Sequence, residues 1–131
     1  MKRGVGVDTC VVVRLLTGVP EDQYARACGF LGECQRQDEP VLVSDLVVAE
    51  VYHALIYYYE VPKKRALDTL RAFLRAPGIR CTGHAQEVLA DYRGTGAGLV
   101  DRLVRADLLE HTARLVSFDK DFCRLDGVQS L

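Results

Sequence analysis

The chain has 131 residues, enough for one domain with its own hydrophobic core and short for two. Its residues are 49% hydrophobic and 27% charged, which excludes disorder as the default reading, and a formal net charge of -1 argues against a nucleic-acid binder that works by bulk positive charge. Five widely spaced cysteines without a C-x-x-C pair argue against a zinc site and fit reduced thiols, and no stretch has the length of a membrane helix, so the expected setting is the cytoplasm.

The first element expected is a short strand over residues 5 to 7, running without a turn signal into a helix over Thr9 to Leu16, with Thr17-Gly18 and Pro20 as the stop. Tyr24, Ala27, Cys28 and Leu31 give residues 21 to 37 a helical spacing, closed by Asp38-Glu39-Pro40. Val41 to Val43 reads as a second strand, and Ser44 as the N-cap of a helix from Asp45 towards Tyr59. Pro62 interrupts the pattern. Lys63-Lys64-Arg65 then opens a helix with Ala66, Leu67, Leu70, Phe73 and Leu74 on one face, ended by Pro77-Gly78. A third strand over residues 79 to 82, a helix from His84 to Tyr92, a glycine-rich loop over 94 to 98, a helix from Leu99 to His111 and a strand from Leu115 to Phe118 complete the pattern, with a mixed tail from Asp121. Strands alternating with helices predict an α/β fold with a mostly parallel sheet and helices on both faces, in one domain over 1–131. In such sheets ligands bind outside the carboxyl ends of the strands.

The acids fall at that edge. Asp8 follows the first strand inside an otherwise apolar run, where an unpaired buried carboxylate would be costly, and Asp119 follows the last predicted strand. Asp101 lies in the first turn of its helix, a position the helix dipole also favours. Glu50 has Leu46, Val47, Val51 and Ala54 as helical neighbours, so its carboxylate emerges beside an apolar stripe. Four carboxylates on one edge repel one another unless protons or a cation offset the charge, and oxygen-only donors suit magnesium or manganese. Such a cation supports phosphoester chemistry without naming the substrate.

The ordered blocks VDTCVVVRLL, VSDLVVAEVYHAL, LVDRLVRADLLEH and LVSFDKDF, with the trailing CRLDGV, resemble a PIN-domain protein of the VapC type, the toxin of VapBC toxin-antitoxin pairs. The resemblance implies a compact three-layer α/β/α domain, a PIN-like fold. It implies a Mg2+- or Mn2+-dependent endoribonuclease that cuts RNA with metal-activated water, leaving a 5′-phosphate and a 3′-hydroxyl. By motif position it assigns Asp8, Glu50, Asp101 and Asp119 as catalytic metal ligands, the last acting through water. Thr9 and Ser117 match supporting hydroxyl positions, and Asp121 is an alternative fourth acid. It further implies a VapB-type antitoxin as partner and a homodimer, with the helices around Glu50 near the homodimer or the antitoxin interface.

Cys10 stands where an Asn or Ser is common, and Arg102, Arg105 and Asp107 where the resemblance leads one to expect small or apolar residues. Arg102 and Arg105 are candidate RNA contacts, as are Lys63, Lys64 and Arg65, each weighed against a solvated helix face. Those departures leave one rival reading, a PIN-like module that binds RNA or protein with weakened catalysis. A second rival, a phosphatase or dehalogenase with a strand-end aspartate nucleophile, commonly shows another acid two residues on, and here that residue is Cys10.

Overall fold

The computed structural model describes residues 2–131. The elements run β1 (Val5–Gly6), α1 (Thr9–Thr17), α2 (Glu21–Arg36), β2 (Val41–Val43), α3 (Asp45–Tyr57), α4 (Lys63–Leu74), β3 (Ile79–Cys81), α5 (Ala85–Asp91), α6 (Leu99–Leu109), β4 (Leu115–Ser117) and β5 (Val128–Ser130). A 3₁₀ turn, Phe122–Arg124, sits between the last two strands. All strand pairs are parallel, and with the helices packed over them they make a three-layer α/β/α arrangement.

Val41 and Val43 are almost wholly buried in the central strand, which explains why β2 reads as an unbroken apolar run with no alternation. Around it, Val12 and Val13 of α1, Val48, Val51 and Leu55 of α3, Leu67, Leu70 and Leu74 of α4, and Leu89 and Leu99 form one continuous core. Helix α1 ends where Gly18 takes a φ of 75°, a left-handed turn whose N–H returns to the Arg14 carbonyl. Tyr52 is packed against this core beside the buried Tyr92. Burial first, and the neighbouring Tyr92 second, push its phenol up to about 12.

Three expectations change. The single sheet is instead two ladders among the described residues, β1-β2-β3 and β4-β5. Strand β1 has only two residues, and it pairs with β2. The tail, read only as mixed, ends in a strand: β5 pairs with β4 in register from Leu115 with Val128 to Ser117 with Ser130. Its three residues, Val-Gln-Ser, are too few to show a period in sequence.

The third change concerns Asp45, which the sequence places merely at the start of its helix. Its carboxylate accepts from the His84 N–H (2.9 and 3.1 Å) and the Ala85 N–H (2.9 Å), fastening the start of α3 to the start of α5. Gly83 has to be glycine for this, because a side chain there would overlap the Asp45 carboxylate. His84 also reaches α6 from the same point, with Nε2 lying 3.0 Å from Glu110 just past that helix. Among the described residues no helix is long and apolar enough to cross a membrane.

Candidate functional site

Chain direction brings the carboxyl ends of β1, β2 and β3 to one edge, where α1, α3 and α5 begin. Asp8 is exposed there rather than buried: two residues past β1 the chain has left the sheet, and the side chain serves as the N-cap of α1, with Oδ1 accepting from the Val11 N–H at 3.2 Å. Thr9, the first residue of α1, donates its hydroxyl to Glu50 Oε1 at 2.9 Å, tying α1 to α3. That bond sets the direction in which the exposed Glu50 carboxylate points. Its apolar neighbours divide between two surfaces, since Val51 is fully buried whereas Leu46 is 71% exposed. Glu50 therefore stands where the core meets an apolar strip of the surface.

The other acids gather around α6 and the end of β4. Asp101 is half-buried, and its carboxyl is raised above the usual carboxylate range, by burial first, then by the charges of Asp119 and Asp121. Asp119 follows β4 in a tight local frame: Ser117 Oγ accepts from its backbone N–H at 2.9 Å, and its own Oδ1 accepts from the Phe122 N–H at 3.0 Å. Asp121 pairs with Arg124 at 3.2 Å. Asp101 has no hydrogen-bond donor among the described residues, so repulsion at this edge is felt most there.

The donors are all carboxylate or hydroxyl oxygens, the chemistry that suits a hard cation. Among the described residues, however, no three His, Cys, Asp or Glu side chains converge closely enough to enclose an ion. Asp8 and Glu50 are held from one side by α1, while Asp101, Asp119 and Asp121 form a second set whose charges repel. Drawing the two sets together would raise that repulsion further without a counter-charge between them.

The arginines and lysines considered as RNA contacts are mostly engaged within the fold. Arg102 donates to the carbonyls of Ala97 (2.8 Å) and Thr95 (3.2 Å), and its guanidinium stacks over the Tyr92 ring at 4.8 Å, which pins the glycine-rich loop leading to Asp101. Arg105 donates to the Asp126 carbonyl at 2.7 Å and so ties α6 to the turn before β5. Lys63 reaches the Gly94 carbonyl (3.1 Å), and Lys64 pairs with Asp68 (2.9 Å). Arg65 is exposed and makes no side-chain hydrogen bond or ion pair among the described residues.

An open groove of about 590 Å³ borders Glu50, lined by Cys10, Leu46, Ala49, His53, Tyr58 and Val100 among others. Its walls come from α1, α3 and α6. The Tyr58 ring is 81% exposed and Tyr57 is exposed beside it, whereas Tyr52 and Tyr59 are half-buried. The sequence shows the tyrosines. It gives no sign that Val100 of α6 lines the same groove as Leu46 of α3, because that neighbourhood spans distant elements with no shared period. The Tyr92–Arg102 stack is hidden for the same reason.

The PIN domain family model matches residues 5–128, nearly the whole chain. Among curated proteins the chain is similar to Ribonuclease VapC37 of Mycobacterium tuberculosis, 37% identical over 76 residues, covering 53% of this chain and 53% of that protein. The chain thus aligns with about half the length of this relative. Among solved structures it resembles a chain from the crystal structure of VapBC2 from Rickettsia felis bound to a promoter DNA fragment, at 18% identity and a TM-score of 0.41, over 97% of this chain and 98% of the other. With its parallel strands, its helices on both faces and a family match from β1 to β5, the chain belongs to the PIN domain family.

Proposed function

We propose that this protein is a divalent-metal-dependent endoribonuclease, the toxin of a type II toxin-antitoxin pair, acting in the cytoplasm. The observation that carries the reading is the acid edge itself: carboxylates from α1, α3, α6 and the end of β4, with Asp101 raised by burial and by Asp119 and Asp121. A fold that keeps such repulsion unrelieved is suited to a cation. The family match and the likeness to a protein named a ribonuclease support the choice of RNA as substrate.

On this reading Asp8, Glu50, Asp101 and Asp119 hold magnesium or manganese, which when bound supplies charge neutralisation at the scissile phosphate and lowers the pKa of water. The chain's own part is positional. Capping by Asp8 fixes the start of α1, so the next residue, Thr9, can direct the Glu50 carboxylate. Ser117 shapes the turn that presents Asp119, and Arg102 holds the loop that presents Asp101. Attack of water on phosphorus leaves a 5′-phosphate and a 3′-hydroxyl. The apolar strip around Leu46, Tyr58 and Val100 serves the protein partners, a second copy of the chain and a VapB-type antitoxin.

Calorimetry with manganese tests the reading before any RNA target is known. The unaltered protein is expected to bind with micromolar to millimolar strength, and Asp8→Asn and Asp101→Asn are each expected to weaken binding by about a hundredfold. Absence of binding, or binding that ignores both substitutions, would overturn the nuclease reading and leave a PIN-fold binding module.

A further inference from the structure

A basic cleft lies away from the acid edge. It occupies about 460 Å³ between the first turn of α4 and the turn after α5, and its polar walls are Lys63, Lys64, Arg71, Arg93 and Asp68. Four cations face one carboxylate, in a chain whose overall charge is -1. Asp68 is already shared, 2.9 Å from Lys64 and 3.0 Å from Arg71, and the Lys64 hydrogen bond is the main reason its carboxyl is lowered. Among the described residues Lys63 and Arg93 find only carbonyl partners, Gly94 at 3.1 Å and Ala90 at 2.8 Å, which orient them without cancelling their charge.

The cleft is also fixed in shape. Arg71, with 18% of its side chain exposed, donates to the carbonyls of Leu89 (2.7 Å) and Tyr92, so the back wall is a charge built into the fold. Gly94 takes a φ of 87°, and a Cβ there would approach the Lys63 side chain to 3.3 Å, so glycine lets the lysine lie across the loop. The local sequence runs against helix electrostatics: Lys63, Lys64 and Arg65 occupy the positive end of the α4 dipole, where acids are favoured, and Pro62 offers no side-chain cap. Only the Lys64 charge meets a carboxylate, Asp68, and places where a sequence runs against a local rule are expected at functional or strained sites.

We propose that this cleft binds backbone phosphates of single-stranded RNA, as an anchor separate from the acid edge. The proposal rests on the nuclease reading for the identity of the polyanion. Phosphate is favoured over an acidic peptide because the cleft's one large apolar lining residue is Leu67, while the exposed apolar side chains that would seat a peptide, Leu46, Tyr58 and Val100, line grooves elsewhere. The cleft is joined to the acid edge along the chain, since Gly94, whose carbonyl holds Lys63, opens the loop that Arg102 pins and that leads into α6 and Asp101.

The test uses the full chain in EDTA with a fluorescein-labelled oligouridylate, read by anisotropy across a salt series. Lys64→Gln and Arg93→Gln are each expected to weaken binding about fivefold to tenfold at low salt, and to reduce the slope of log K against log salt by about 0.7 for every phosphate no longer neutralised. Arg75→Gln, at an exposed cation outside the cleft, should leave both unchanged. Melting curves of all the variants check that the fold is kept. Equal effects at Arg75 and in the cleft would overturn the proposal in favour of bulk charge, and no effect at Lys64 or Arg93 would overturn it outright. Preferential displacement of RNA by an oligoglutamate of matched charge would reassign the cleft to an acidic peptide. Manganese titrations of the same proteins separate the two ideas, because failure of the nuclease reading removes metal binding from the unaltered chain while leaving the RNA slopes to be judged by themselves.

Discussion

The two ladders of this protein are finished differently. Strand β2 has neighbours on both edges and helices over it, with Val41 and Val43 sealed from solvent, and the elements around it are tied by Asp45 to the start of α5 and by Thr9 to Glu50. The β4-β5 pair is two strands of three residues each, with Val116 exposed and Phe118 80% exposed beyond its end. Their acids differ in the same way. Asp8 accepts from a backbone N–H and Glu50 from a hydroxyl, whereas Asp101, beside the second ladder, carries the repulsion of Asp119 and Asp121 with no donor among the described residues to offset it. Buried packing and polar ties are concentrated in the first region, and the electrostatic repulsion we attribute to function in the second.

Breaking the clasp should have the largest effect on that contrast. Asp45→Ala leaves the N–H groups of His84 and Ala85 unpartnered and is expected to cost about 2–4 kcal/mol, read as a lower denaturation midpoint. Ser117→Ala, in the second ladder, should cost about 1 kcal/mol or less, because its hydroxyl accepts from one exposed-site N–H. If the two substitutions cost the same, the asymmetry of the ladders is wrong. Hydrogen exchange sharpens the point: amides of β4 and β5 should exchange well before those of β2.

A smaller effect separates positioning from stability. Thr9→Val keeps the shape of α1 but removes the donor to Glu50, and is expected to weaken manganese binding about tenfold with little change in melting temperature. Unchanged affinity would mean that the Glu50 carboxylate needs no guidance from α1.

The smallest effect is a pH dependence of stability. Asp101 binds its proton more tightly in the folded state than in the unfolded chain, so the stability it contributes is fully present below the ordinary carboxylate pKa and is lost as pH rises through its raised folded value. In EDTA, Asp101→Asn should therefore match the unaltered protein in acid and melt about 1–3 °C higher at neutral pH, the gain being limited by the helix-dipole interaction that is also removed. A variant that is less stable at neutral pH would show that the dipole outweighs the repulsion.

Much of this protein was legible in one dimension because the relevant signals are local. Hydrophobic runs, Gly18, Ser44 and Pro62 place the helices to within a few residues, since a cap or a breaker acts on its neighbours. The positions of Asp8 and Asp119 just past strands followed from the same reading, and four short blocks in order gave the family. Tertiary structure alone decided the rest. It turned Asp45 from a helix-start acid into a clasp and gave Arg102 the carbonyls of the glycine-rich loop as partners. It divided the strands into two ladders and set Lys63, Lys64, Arg71 and Arg93 around one cleft. The physical reason is shared: a hydrogen bond or a charge pair depends on distance in space, and residues far apart along the chain carry no periodic trace of where the fold will bring them together.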